Sequence, residues 1–286
     1  WLIRRYGLPG HVERTIVGFM GCQAAINALK LARQAVRSDP GARVRGSEGA
    51  SRHARSARRP GPPPTPRSAA VTDPAPVRPS LDLTPFERWE AVTLDGEHVG
   101  FLHRVLDGTL LTTRMGFAPT PAQRRARPEL PERYLAQSQV SFTADGTSWD
   151  WTSHEDSAGA QRVRIDRERA GLDADVLPSY AEYLLLAVAA ADGPVVVAAR
   201  LEESSPLQGG LRMPRAELRP ADAGDGDVSV TVVADGAALG AHLVRDGAVV
   251  ASDWGGGTAS TPVAGRAEAT EGLDEHVVTF SGMPLV

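Results

Sequence analysis

Cysteine occurs once in this sequence, and so does lysine. A single thiol excludes an internal disulfide framework and any cysteine-rich metal site, and it leaves the redox compartment open. Aromatic residues make up 5% of the chain, so a core must rest largely on aliphatic side chains. There is no basic excess: with a net charge of −4 and a pI near 6.0, the chain has no overall field for nucleic acid. Long apolar runs are missing too. The longest, Leu184–Ala191, falls far short of the ~20 residues that cross a bilayer as a helix. No signal-peptide pattern is visible, and since the sequence starts at Trp1 rather than Met, the true N-terminus stays open. Lys30 as the sole lysine among 31 basic residues marks a GC-rich coding sequence, which says nothing about function.

What is present is uneven along the chain. Thr15–Val36, with the lone Cys22 near its centre, reads as a strand-like run (Ile16, Val17, Phe19, Met20), a turn at Gly21 and an amphipathic helix from about Gln23 to Arg37. A thiol at a helix N-terminus has its anionic form favoured by unpaired N–H groups and the helix dipole. A buried, inert cysteine is the plainer use of such a residue.

Gly7–Val44 resembles the segment around the active-site cysteine of bacterial type III polyketide synthases, the chalcone synthase-like branch of the thiolase fold. Gly18, Phe19, Met20, Gly21 and Cys22 match the motif consecutively, and Ala24–Ala32 matches the helix behind it. The resemblance implies an acyltransferase in which Cys22 is the nucleophile, with acyl- and malonyl-coenzyme A as substrates and no bound cofactor or metal. It ends at Val44. The histidine and asparagine that serve the thioester in that family have no counterpart downstream, so it implies a truncated segment without turnover.

Residues 45–80 change character: prolines cluster, arginines recur at 45, 52, 55, 58, 59 and 67, and there is no Phe, Trp, Tyr, Ile or Leu. Such a stretch cannot bury enough apolar surface to offset its ordering entropy and is expected to be a disordered linker. The alternatives are a basic arm and the product of a shifted reading frame beyond Val44. His53 has no ligand partner there.

From residue 81 to 286 the pattern is that of a separate domain. Asp-Gly steps at 95, 107, 145, 235 and 246 lie between alternating or β-branched runs, the sequence signal of hairpins. Expected strands are Arg88–Leu94, His98–Val105, Thr109–Gly116, Tyr134–Thr143, Ser148–Ser153, Val195–Leu201, Val228–Ala234, Ala238–Val244 and Ala248–Asp253. Leu177–Ala190 reads as one helix, with Tyr180, Leu184, Ala187 and Val188 at helical spacing. The fold class is mainly β with α: a curved antiparallel sheet or half-barrel with one packed helix. The stretches Arg88–Phe101 and Val233–Gly257, with that helix between, resemble LolA-like half-barrels of envelope and lipoprotein-carrier proteins. That likeness implies a non-enzymatic module holding a lipid or acyl chain between sheet and helix; an ordinary filled core is the alternative. The first likeness favours the cytoplasm for the N-terminal segment, the second an envelope setting for the β-domain.

Catalytic candidates in this domain are weak. His98 and His103, five apart on one strand, are expected on opposite faces. His154-Glu155-Asp156 is expected in a solvated turn, and Trp149 and Trp151 on one face. The Gly255–Gly257 run lacks the following helix that a phosphate cradle needs. Ser204, Ser205 and Ser260 lack a nucleophile-elbow context.

Overall fold

A two-residue hairpin turn of type I′ requires left-handed backbone at both central positions, and Asp-Gly accommodates it at least cost. Asp95, Asp235 and Asp246 sit at φ 54°, 48° and 49°, each followed by a glycine at 82°, 79° and 76°. A further step of this kind, Asp225-Gly226 at 53° and 84°, escaped the sequence reading. The computed structural model describes residues 80–157, 162–208 and 210–282. The thiolase-fragment segment with Cys22, and the Arg/Pro-rich stretch with His53, lie outside the described residues.

The turns organise two meanders. The first contains β1 (Phe86–Leu94), β2 (Glu97–Asp107), β3 (Leu110–Phe117), the short helix α1 (Pro121–Ala126), β4 (Tyr134–Phe142), β5 (Trp149–Asp156) and β6 (Arg162–Asp166). Between the meanders come β7 (Val176–Pro178), a 3-10 turn at Ser179–Leu185, α2 (Leu186–Asp192), β8 (Val195–Val197) and β9 (Ala199–Leu201). The second meander is β10 (Ala216–Gly224), β11 (Asp227–Ala234), β12 (Ala237–Arg245), β13 (Ala248–Gly255) and β14 (Thr258–Val263), followed by α3 (Arg266–Ala269) and α4 (Glu275–Gly282).

Pairing of β1 with β14 joins the meanders into one 12-stranded antiparallel sheet, ordered β6-β5-β4-β3-β2-β1-β14-β13-β12-β11-β10-β8 and unclosed. The expected strand Val195–Leu201 divides at Ala198. Its first half pairs antiparallel with β10, and its second pairs parallel with β7.

The inner face of the sheet carries the larger core: Leu106, Leu111, Val140, Phe142, Trp149, Leu218 and Val230 pack with Leu185, Leu186 and Ala189. A separate cluster on the outer face sets Phe101 against Ala269, Val277 and Phe280 of the terminal helices. The helical segment does cover the sheet, yet it differs from the expected single helix. Its buried stripe is Ala181, Glu182, Leu185, Leu186 and Ala189, while Tyr180, Leu184, Ala187 and Val188 are only partly buried. The apolar residues chosen from sequence mark the neighbouring face because the true stripe contains a glutamate.

Bulges account for two more differences. An extra residue in β2 between the pairs Val92↔Gly100 and Thr93↔His98 shifts the alternation. Since Thr93 and Trp89 share a face, their partners His98 and His103 do as well, contrary to expectation. In β5 the pairs Ser141↔Trp151 and Phe142↔Trp149 leave Asp150 as the extra residue. Trp149 therefore enters the inner core, its indole N–H donating to the Val176 carbonyl at 2.7 Å, while Trp151 lies under Arg164 at 4.0 Å.

Candidate functional site

Register brings polar residues into line on the inner face. Arg88 pairs with Arg104, Arg104 with Thr113, Thr113 with Ser138, and Ser138 with His154, a row crossing β1 to β5. In the second meander His242, Ser252 and Ser260 align likewise.

Above this face lies a cavity of about 120 Å³, walled on the sheet side by Arg104, Thr113, His242 and Trp254 and roofed by Ser179, Glu182, Tyr183, Leu186, Arg200 and Glu203. Its charges are buried and mostly paired. Glu90, 0% exposed, accepts from Arg88 Nε at 2.8 Å, from Arg104 Nη1 and from Ser260 Oγ at 2.6 Å. The Ser260 hydroxyl oxygen in turn accepts from the Trp254 indole at 3.1 Å. Burial pushes the Glu90 carboxyl up, but Arg104 and Arg88 together hold it below the usual range. The Arg104 guanidinium also lies 4.2 Å from the Tyr183 ring centroid, a cation–π arrangement.

On the roof, Arg200 Nε donates to Glu182 Oε1 at 2.5 Å. Glu203 accepts from Ser179 Oγ at 2.5 Å and from the Tyr180 N–H at 3.1 Å, neutral donors both. Burial pushes the carboxyls of Glu182 and Glu203 up; Arg200 opposes this at Glu182, and the Ser179 and Tyr180 hydrogen bonds oppose it at Glu203. Burial, reinforced by Arg104, lowers the His242 imidazole to about 4, and its Nδ1 lies 2.9 Å from Ser252 Oγ. Two polar atoms of cavity-lining residues, Thr113 Oγ1 and Arg200 Nη1, have no hydrogen-bond partner among the described residues.

Little of this is legible in the sequence. Cys22 lies outside the described residues. His98 and His103 share the outer face but lie about 13 Å apart along the strand at ~3.3 Å per residue, too far for one ligand. His103 stacks on Trp89 at 3.7 Å instead. No group of three or more His, Cys, Asp or Glu side chains suited to a metal occurs among the described residues.

The stretch His154–Asp156 is not a solvated turn. His154 and Asp156 are buried in β5, and Glu155 pairs with Arg162 at 2.8 Å. His154 Nδ1 lies 2.8 Å from Ser138 Oγ and its Nε2 3.3 Å from Asp156 Oδ2. This constellation has the residue types of a hydrolytic triad. However, Ser138 is 1% exposed and does not line the cavity, so no carbonyl can reach it. It ties β4 to β5. Ser205 Oγ donates to the Glu202 carbonyl at 2.5 Å, Ser260 belongs to the Glu90 network, and the Gly255–Gly257 turn runs into strand β14. Arg104, Glu182, Arg200 and Glu203 were missed because isolated charges in a sequence look solvated; for Arg104 and Glu90, the alternation that places Val92 and Leu106 inside was the available signal.

No protein-family model, curated protein or solved structure matches the chain.

Proposed function

We propose that the β-rich domain is a non-enzymatic binding module holding a small ligand between the inner face of the sheet and the 179–192 segment. The observation that carries this reading is the cavity itself, lined by paired buried charges, a tryptophan and the Thr113 hydroxyl, which has no hydrogen-bond partner among the described residues. A buried polar atom left unsatisfied costs about 1–3 kcal/mol, which a ligand acceptor at the Thr113 hydroxyl would offset. Cavities near 150 Å³ admit a benzene-sized molecule, so this one takes a compact ligand or the end of a longer one. Under the lipid-carrier reading, with its half-barrel and envelope setting, a cavity of this size would take only a short acyl terminus.

The test is native mass spectrometry of the full chain as purified, together with Leu186→Trp, which fills the cavity. A bound small mass, absent from the variant, is the expected result. A chain without bound mass, whose Leu186→Trp variant melts at or above the wild-type temperature, would identify an ordinary core.

A second reading rests on the consecutive match at Gly18–Cys22: the N-terminal segment descends from an acyl-transferring synthase and has lost turnover. Incubation with radiolabelled acyl-coenzyme A should leave no label on Cys22 above that of Cys22→Ser. Stable labelling of the wild type alone would restore the acyltransferase.

A further inference from the structure

We propose that the ligand of this cavity is a short dipolar molecule, with an ammonium group toward Glu203 and Glu182 and an oxygen acceptor, a carboxylate, toward Arg104 and Thr113. This rests on the binding reading above and adds the ligand's chemistry. The two walls carry opposite surplus charge. On the sheet, Arg104 lines the cavity, and behind it Arg88, which also donates to the Val249 carbonyl, shares with it the single carboxylate of Glu90, leaving one positive charge in excess. On the roof, Arg200 serves Glu182 at its Nε and Glu202 at 3.6 Å from its Nη1, and Arg212 meets Glu202 from outside at 3.4 Å, so with Glu203 three carboxylates outnumber two guanidiniums by one. Glu203 is held by a hydroxyl and a backbone N–H, donors that carry no charge. Burial pushes the Glu182 and Glu203 carboxyls up against the pull of Arg200, and an ammonium group beside them would oppose that burial further.

An independent observation sits on the sheet wall. Thr113 is 2% exposed, stands directly across from Arg104 in the β2–β3 register, and its hydroxyl has no hydrogen-bond partner among the described residues. A donor of this kind beside a guanidinium fits an oxygen acceptor. Between the walls, Val92, Leu102 and Leu186 offer apolar contact for a few methylenes. A monoanion would leave the roof surplus unmet, a monocation the sheet surplus, and an acyl chain both. At about 120 Å³ the space suits roughly five to seven heavy atoms.

Calorimetric titration of the full chain with glycine, β-alanine and 4-aminobutyrate, against n-butylamine and butyrate, tests the assignment. The expected result is that one amino acid of the series binds at least tenfold more tightly than either monofunctional compound. Glu203→Gln should weaken that ligand tenfold or more and leave butyrate unchanged. Thr113→Val, close in shape and uncharged, should weaken it several-fold without altering n-butylamine, with wild-type thermal melting as the control for folding. Equal binding of butyrate and the amino acids, or an unchanged affinity in both variants, would overturn the proposal. If a bound mass is displaced by Leu186→Trp but no amino acid binds, the binding reading stands and the dipolar ligand falls. If nothing binds and Leu186→Trp is neutral, both fall.

Discussion

The two meanders solve the same folding problem with different materials. In the second, the inner face is built from Leu218, Val230, Val232, Val244 and Val249. Its buried ionisable side chains are His242, held neutral, and Asp227, which meets the exposed Arg245 near a strand end. In the first, the equivalent face buries Arg104 and Glu90 beside Arg88, then Thr113, Ser138 and His154. Strands of similar length pair in the same antiparallel way in both, so the sheet does not need those charges. Taking ions out of water costs several kcal/mol each, and hydrophobic replacements of buried ion pairs are often neutral or stabilising. The charged half is thus an expense the apolar half shows to be avoidable, though both border the cavity, the first through Arg104 and Thr113 and the second through His242 and Trp254.

Removing one member of the charge network should disturb the first meander most. Glu90→Leu strands Arg88 and Arg104 and should lower stability by about 4 kcal/mol in chemical denaturation. The triple variant Arg88→Leu, Glu90→Leu, Arg104→Met should return to wild-type stability or exceed it. A triple variant as unstable as the single one would mean the charges do serve the fold. On the apolar half, Leu218→Ala should cost about 3 kcal/mol, with no partner substitution able to restore it.

The smallest expected effect is on pH dependence. The His242 imidazole titrates at about 4 in the folded chain, against ~6.5 when unfolded. Above pH ~6.5 both states are neutral and the full stability is present. As the pH falls toward 4 the unfolded chain takes the proton first, and roughly 2–3 kcal/mol is lost. Glu182 and Glu203, with carboxyls pushed up, act in the opposite sense over the acidic range. The quantity to measure is therefore the difference between wild type and His242→Gln, which should grow as the pH falls and then level off.

Much of the sheet was legible because hairpin turns are local. Asp95-Gly96, Asp235-Gly236 and Asp246-Gly247 announce themselves by two residues each, and the flanking runs set the strands to within a residue or two. Facing was less legible, since one inserted residue reverses the alternation of everything beyond it. Asp150 sends Trp149 and Trp151 to opposite faces, and the bulge before Gly100 returns His98 to the face of His103. Neither bulge leaves a mark in composition. The site was hidden for a related reason. Glu182, Arg200 and Glu203 are adjacent only after β7 has paired with β9, a parallel contact that no local pattern encodes.

Val176–Pro178 and Ala199–Leu201 lie side by side, so everything between them leaves and returns at one place. The chain there behaves as a cartridge: the side chains that its 179–192 stretch turns toward the chamber can be exchanged for another set, changing what the chamber accepts, while β8 keeps its pairing with β10.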